Sequence, residues 1–327
     1  MHSQSILLST VGSSPQVVTE TLYAIAEQKL SWPTELRIIT TSLGAEKVRQ
    51  GLIVGKQLER LCHELSLPIP KFGEEQLLVV TNEQGQYVED ARSLADHEAL
   101  ANFIMHQVQQ ITDNENCILH ASLAGGRKTM TFYLGYVMSL FGRQQDTLSH
   151  VLVSEGYEGK PNFWYPTKNP DYRQIKDYSG NVIAGLDASQ AQVTLANIPF
   201  IRHRHNLPKL LLKEKTKITF NQLVQLINLG ENPEDIELII NIKKRTIVVA
   251  DKNKQLNCQQ EFKPNFIEFA FYLMLVNGTQ KGDSTLYRPA KERADLTLLE
   301  LFLDTVLSLT NIEPGQSYQE SLERLKD

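Results

Sequence analysis

Five short apolar runs occupy the first half of the chain, and the segments between them carry helical spacing; this alternation constrains the fold more than any other feature. Residues 5–11 (SILLSTV) close on Gly12-Ser13-Ser14-Pro15, and residues 17–28 continue with an apolar period of 3.6, with Pro15 suited to the first turn of that helix. Residues 36–41 (LRIITT) form the second run and are followed by helical spacing over 46–65. The third run is 77–80, followed by a helix over 95–111. The fourth, 117–122 (CILHAS), closes on Ala124-Gly125-Gly126-Arg127-Lys128 and leads into an apolar helix over 129–141; residues 150–154 (HVLVS) are the fifth. Strands and helices alternating at this spacing predict an α/β fold, a Rossmann-like, mostly parallel sheet covered by helices on both faces.

From residue 161 to 201 the chain turns to Pro, Tyr, Asn and Asp, which suits loops and a small closing hairpin. Beyond it, residues 217–228, 266–276 and 296–309 have helical spacing, and 246–251 pairs with Glu261-Phe262 as a hairpin. The chain therefore divides into a domain over 1–200 and a smaller α+β domain over 201–327, whose parts suit a winged-helix-like unit. With 327 residues both domains have enough chain for a core of their own.

No apolar stretch reaches the length of a membrane span, and no basic and apolar leader opens the chain, so a cytoplasmic protein with no membrane contact is expected. The three cysteines, Cys62, Cys117 and Cys258, are far apart and lack the spacing of a disulfide framework or a zinc site. His203 and His205 flank Arg204 without a further ligand nearby, so no metal and no cofactor is expected. Residues 1–200 hold 15 Lys and Arg against 21 Asp and Glu, and residues 201–327 hold 18 against 17. Neither part has the basic excess that grips duplex nucleic acid, and the six basic residues from Arg202 to Lys217 read as a solvated connector.

In a parallel sheet ligands bind beyond the carboxyl ends of the strands. Three polar clusters fall there: Thr10 to Pro15, Thr40 to Gly44 including Thr41 and Ser42, and Ser122 to Thr129 including Ala124, Gly125, Gly126, Arg127 and Lys128. Glycines let backbone N–H groups approach an anion, hydroxyls complete a cradle, and Arg127 and Lys128 add two full charges. The same turns also serve tight packing in many α/β folds. No Walker A loop and no GxGxxG is present, which argues against nucleoside triphosphate hydrolysis and dinucleotide redox chemistry.

The segments ILLSTVGSSPQVVTETLYAI, LHASLAGGRKTMTFYLGYVMSLFGR and DTLSHVLVSEGYE, with FWYP beyond, resemble the CRISPR-associated Rossmann fold (CARF) ring nucleases of type III CRISPR systems over residues 5–200. The resemblance implies a homodimer that binds a cyclic oligoadenylate, most often cyclic tetra-adenylate, and opens it to switch off the antiviral response. In such a site Lys128 stabilises the phosphorane or the leaving oxygen, Arg127 holds a phosphate, and Ser13 or Ser14 orients the 2′-hydroxyl or the scissile phosphate. Backbone groups of Gly12, Gly125 and Gly126 finish the pocket. An ammonium stabilises charge and does not abstract a proton, so Lys128 is assigned electrostatic work. The adenines need apolar or stacking walls; Met130, Tyr133 and Tyr157 are candidates, though each suits the core better.

Two other classes compete. A messenger-sensing transcription regulator would bind DNA through the C-terminal domain, against its near-neutral charge. A messenger-activated effector nuclease would need further chemistry there. Arg92 with His97 and Arg143 with His150 match the Arg-x4-6-His spacing of HEPN ribonucleases, but both fall inside the Rossmann-like domain and read as chance; no histidine lies beyond His205. Asp251 with Glu261 and Lys263 loosely matches a restriction-type nuclease motif.

Overall fold

The computed structural model describes residues 4–172, 179, 181, 186–207, 211–212, 218–252, 259–280 and 296–310. Lys209, Lys213, Lys215 and Lys217 of the basic run, and Cys258, lie outside these residues. The chain forms two compact units, Met1–Asn221 and Gln222–Asp327.

The first unit is built on six strands: β1 (Gln4–Thr10), β2 (Glu35–Thr40), β3 (Leu77–Val79), β4 (Cys117–Ser122), β5 (Thr147–Val153) and β6 (Val193–Asn197). Their order is β3-β2-β1-β4-β5-β6, all neighbours parallel except the β5–β6 pair. Helices α1 (Gln16–Glu27), α2 (Ser42–Val48), α3 (Gln57–Leu65), α4 (Leu94–Asp113) and α5 (Lys128–Phe141) connect and cover the strands. Leu7, Leu8, Leu36, Ile38, Ile39 and Leu119 are fully buried, because β1, β2 and β4 have a layer on each face. Each such side chain contributes roughly 1.5–3 kcal/mol through burial. Ser93 opens α4 with a capping box: its Oγ accepts from Asp96 N (3.1 Å), and Asp96 Oδ2 accepts from Ser93 N (2.9 Å).

The helical spacing over 46–65 suggests one helix, and the chain makes two. After α2 comes a π-helical turn, Arg49–Val54, and Lys56 then takes a left-handed φ of 54° before α3. The break admits a bulky neighbour: a methyl on Gly51 would collide with the Trp164 ring. Apolar periodicity registers the covered face and carries no record of this indole.

At the amino ends of β4 and β5 lies a buried ionic clamp. Asp146, fully buried, accepts from the Arg143 backbone N (2.8 Å), Arg143 Nε (2.9 Å) and Nη2 (2.9 Å), and Leu119 N (3.0 Å). Arg143 also donates to the Asn114 and Cys117 carbonyls (2.6 and 2.8 Å). Arg202 and Arg204, expected as part of a solvated connector, fold back here: Arg202 donates to the Arg143 and Asp146 carbonyls (both 2.9 Å) and Arg204 to the Phe141 carbonyl (3.0 Å). Guanidinium groups satisfy several carbonyls at once, and the turn from α5 to β5 and the start of β4 leave several here.

The second unit takes up α6 (Phe220–Glu231) and continues as β7 (Ile236–Asn241), β8 (Thr246–Asp251) and β9 (Gln259–Phe262), an antiparallel sheet in the order β7-β8-β9. Helices α7 (Phe266–Gln280) and α8 (Leu296–Thr310) follow and pack on each other, with the Phe271 and Phe302 rings 6.5 Å apart. The hairpin expected between 246–251 and Glu261-Phe262 forms, with Ile247 opposite Phe262. Strand β7 (IELIIN) was not read from the sequence. Glu261 stands opposite Val248, three residues from Asp251, so the two carboxylates project from opposite faces of the hairpin and do not converge as a nuclease motif requires. No helix among the described residues is long and apolar enough to cross a membrane.

Candidate functional site

Between β1 and β4 the strand order reverses direction, and the loops leaving these two neighbouring strands must part to opposite faces of the sheet. Their polar residues meet there. Thr10, fully buried at the end of β1, donates from Oγ1 to the Gly125 carbonyl (2.6 Å), tying the first loop to the β4–α5 turn. Ser122, fully buried at the end of β4, lies 3.3 Å from the Thr21 hydroxyl of α1 and accepts from Ala124 N (3.4 Å). A methyl on Gly12 would stand 3.2 Å from Gly126 Cα, and Gly126 itself has φ of 96°, a conformation glycine takes without strain. Gly125 is closer still: a methyl there would come within 2.8 Å of both the Thr10 carbonyl and Val17 Cγ2. Gly125→Ala is therefore expected to push the two loops apart and to lower stability by roughly 1–3 kcal/mol in a denaturant titration.

The second loop takes a separate direction. Thr41 is nearly buried, and Ser42 donates to the Val88 carbonyl from its backbone (3.0 Å) and its hydroxyl (3.4 Å). The segment it joins also holds Arg127, whose Nε and Nη2 donate to Asp90 Oδ1 and Oδ2 (3.1 and 2.6 Å). These hydrogen bonds, with a third from Arg92, hold the Asp90 carboxyl below its ordinary range. The guanidinium expected to grip a phosphate is thus paired within the protein. Lys128, the first residue of α5, is exposed, and among the described residues its ammonium has no recorded partner. Thr129 Oγ1, beside it, is buried without a hydrogen-bond partner.

Ser13 and Ser14, with Ala124, Gly125 and Gly126, line a cleft of about 220 Å³ that runs between α1, β5 and the turn after β5. Gln16, Glu20, His150 and Glu158 complete its polar lining, and Val17, Val151 and Val153 its apolar wall. Of the three expected stacking groups, none lines it. Met130 is buried beneath Gly126, Tyr133 packs edge-on against Phe220 (5.4 Å), and Tyr157 is buried with its hydroxyl donated to the Asp187 carbonyl (2.8 Å).

Sequence reasoning passed over Gln16, Glu20 and Glu158, and met His150 only as a chance partner of Arg143. One signal was available: Glu20 is the single Asp, Glu, Lys or Arg among residues 1–26, set in an apolar helix that caps the central strand. It is 4% exposed, and burial, helped by the charge of Glu158, pushes its carboxyl up to about 8. On the neighbouring strands His120 bonds to Ser149 Oγ (2.7 Å), and burial brings its imidazole down to about 4.

The first unit is a Rossmann-like sheet with glycine-rich loops at its switch point. Residues 14–229, two thirds of the chain, match the family model described as CRISPR-associated protein NE0113, and the chain belongs to that CRISPR-associated family. No curated protein matches the chain.

Proposed function

We propose that the protein is a ring nuclease of the CARF type, a homodimer that binds cyclic oligoadenylate, with cyclic tetra-adenylate favoured, and opens it to end type III CRISPR signalling. The observation that carries this reading is the β4–α5 turn: Gly125 and Gly126 bring backbone groups to the rim, and Lys128 stands there with no recorded partner while its neighbour Arg127 is held by Asp90. Membership of a CRISPR-associated family supports the setting.

In the proposed reaction a ribose 2′-hydroxyl gives up its proton to water as its oxygen attacks the adjacent phosphorus, the bond from phosphorus to the 5′-oxygen breaks, and that oxygen takes up a proton from water. Lys128 stabilises the charge that builds on the phosphorane or the departing oxygen. Ser13 and Ser14 orient the reacting ribose and phosphate from the facing loop. The reaction calls for no metal. An isologous dimer lays two such rims against a two-fold symmetric ring, so two cuts give linear di-adenylates ending in 2′,3′-cyclic phosphates. The C-terminal unit, read as winged-helix-like, is assigned to dimerisation or regulation.

Wild type and Lys128→Ala incubated with cyclic tri-, tetra- and hexa-adenylate in EDTA test this, with products followed by chromatography. Wild type should open the tetra-adenylate ring, and the variant should be slower by about 10²–10³-fold, the range for removing one charge-stabilising donor. Tight binding without cleavage by wild type would overturn the enzyme and direct attention to a sensor acting through the C-terminal unit.

A further inference from the structure

We propose that the cleft between α1, β5 and the β4–α5 turn is a nucleobase pocket, in which Glu20 and Gln16 read the amino edge of an adenine. The proposal rests on the ring-nuclease reading for its ligand and on the cleft for its chemistry. Gln16 and Glu20 are one helical turn apart on α1 and both line the cavity. Gln16 Nε2 donates to the Pro161 carbonyl (2.8 Å), which orients the amide and leaves Oε1 buried with no donor. Glu20 is 4% exposed, and among the described residues its carboxyl has no recorded hydrogen bond or cation. Two residues that line one cleft, and whose polar atoms have no recorded partner among the described residues, suit a site whose partner is a ligand.

The protonation state selects the ligand. Glu158 and His150 are the other titratable groups lining the cleft, and no Lys or Arg lines it, so nothing there offsets the cost of an ionised Glu20. A neutral carboxylic acid offers one O–H donor and one carbonyl acceptor. Adenine presents the complement, an amino donor beside a ring-nitrogen acceptor, and its second amino hydrogen suits Gln16 Oε1. Guanine can meet the same neutral acid through its neighbouring N1–H donor and O6 acceptor, so the acid calls for a base with adjacent donor and acceptor, and the adenine follows from the ring-nuclease reading. At about 220 Å³ the cleft is below the roughly 300–1,000 Å³ of drug-sized pockets and suits one base. Ser14 and Gly125 line the same cleft, so a base seated against Glu20 leaves its phosphate beside the rim.

The test is calorimetric titration of the full chain with adenosine 5′-monophosphate, and in parallel with cyclic tetra-adenylate, at about pH 6 and about pH 9. Wild type should bind the adenine nucleotide at the lower pH. It should lose about tenfold of that affinity at the higher pH as Glu20 ionises. Glu20→Gln, which keeps a donor and an acceptor, should bind like wild type at about pH 6 and show no loss at about pH 9. Glu20→Ala should bind weakly at both, with its folding checked by circular dichroism. A wild-type affinity equal at both pH values, or no binding of the adenine nucleotide at millimolar concentration, overturns the pocket. Adenine-nucleotide binding with the Glu20 dependence described but without binding of the ring leaves the pocket standing and removes the ring-nuclease reading. Ring binding that ignores Glu20 does the reverse.

Discussion

Asp146→Ala should cost about 3–5 kcal/mol of stability, read as a fall in the urea midpoint with the slope unchanged. The carboxylate is fully buried and accepts four hydrogen bonds, three of them from Arg143. Removing it leaves a guanidinium only 8% exposed with no counter-charge, and the backbone N of Leu119 without its acceptor. The larger part of the loss comes from that stranded charge. A double change, Asp146→Ala with Arg143→Met, should therefore be less damaging than the single one, because it removes the unpaired ion as well. A single-variant loss below about 1 kcal/mol would mean that the clamp does not close in solution. The clamp sits at the amino ends of β4 and β5 and the rim proposed to hold the ligand at the carboxyl ends, so any folded fraction of the variant should keep whatever ligand affinity wild type shows.

The second large effect is a pH dependence of stability centred on Glu20. Its carboxyl rises from an ordinary 4.5 to about 8 in the folded chain. Between those values the folded protein holds a proton that the unfolded chain has released, so stability falls as pH rises through the window and levels off above it. Each pH unit of the window is worth about 1.4 kcal/mol, which makes the full penalty a few kcal/mol. Glu20→Gln removes the ionisation while keeping the shape. The variant should match wild type in thermal midpoint near the lower end of the window and exceed it by several degrees at the upper end. His120 acts in the opposite sense: its folded value of about 4 lies below the ordinary 6.5, so its contribution is lost as pH falls between the two. For this reason the informative quantity is the difference between Glu20→Gln and wild type at each pH, in which His120 cancels. A difference that stays constant from about pH 5 to about pH 8 would show Glu20 ionised throughout.

What the sequence conveys of this molecule follows the range of the interactions involved. The runs 5–11, 36–41 and 117–122 are strands because their burial on both faces demands continuous apolar text, and β1, β2 and β4 stand within a residue or two of them. The glycine-rich turn before Lys128 was legible for a similar reason, since a close backbone approach excludes side chains at Gly125. The pairing of Arg127 with Asp90 was not, because it joins residues 37 apart through a loop with no periodicity of its own. The same holds for Arg202 and Arg204, whose text is that of a basic linker while their guanidinium groups end on carbonyls near Asp146. Strand β7 escaped notice because IELIIN lacks strict alternation and reads equally as the tail of a helix. Glu20 was hidden by its company: among Val18, Leu22 and Ile25 one carboxylate looks like the polar edge of an amphipathic helix, until the helix proves to be covered around most of its girth.

The central position of β1 and β4 in the order β3-β2-β1-β4-β5-β6 has a bearing on how such a protein changes over generations. The two strands that carry the rim are flanked on both sides, while β3 and β6 stand at the margins with one neighbour each. Amide exchange should be slowest in the middle pair, and insertions or altered lengths should be absorbed at the margins and in the C-terminal unit. A lineage can therefore remodel the margins of the sheet and the C-terminal unit while the loops after β1 and β4 stay anchored to the slowest-opening part of the molecule.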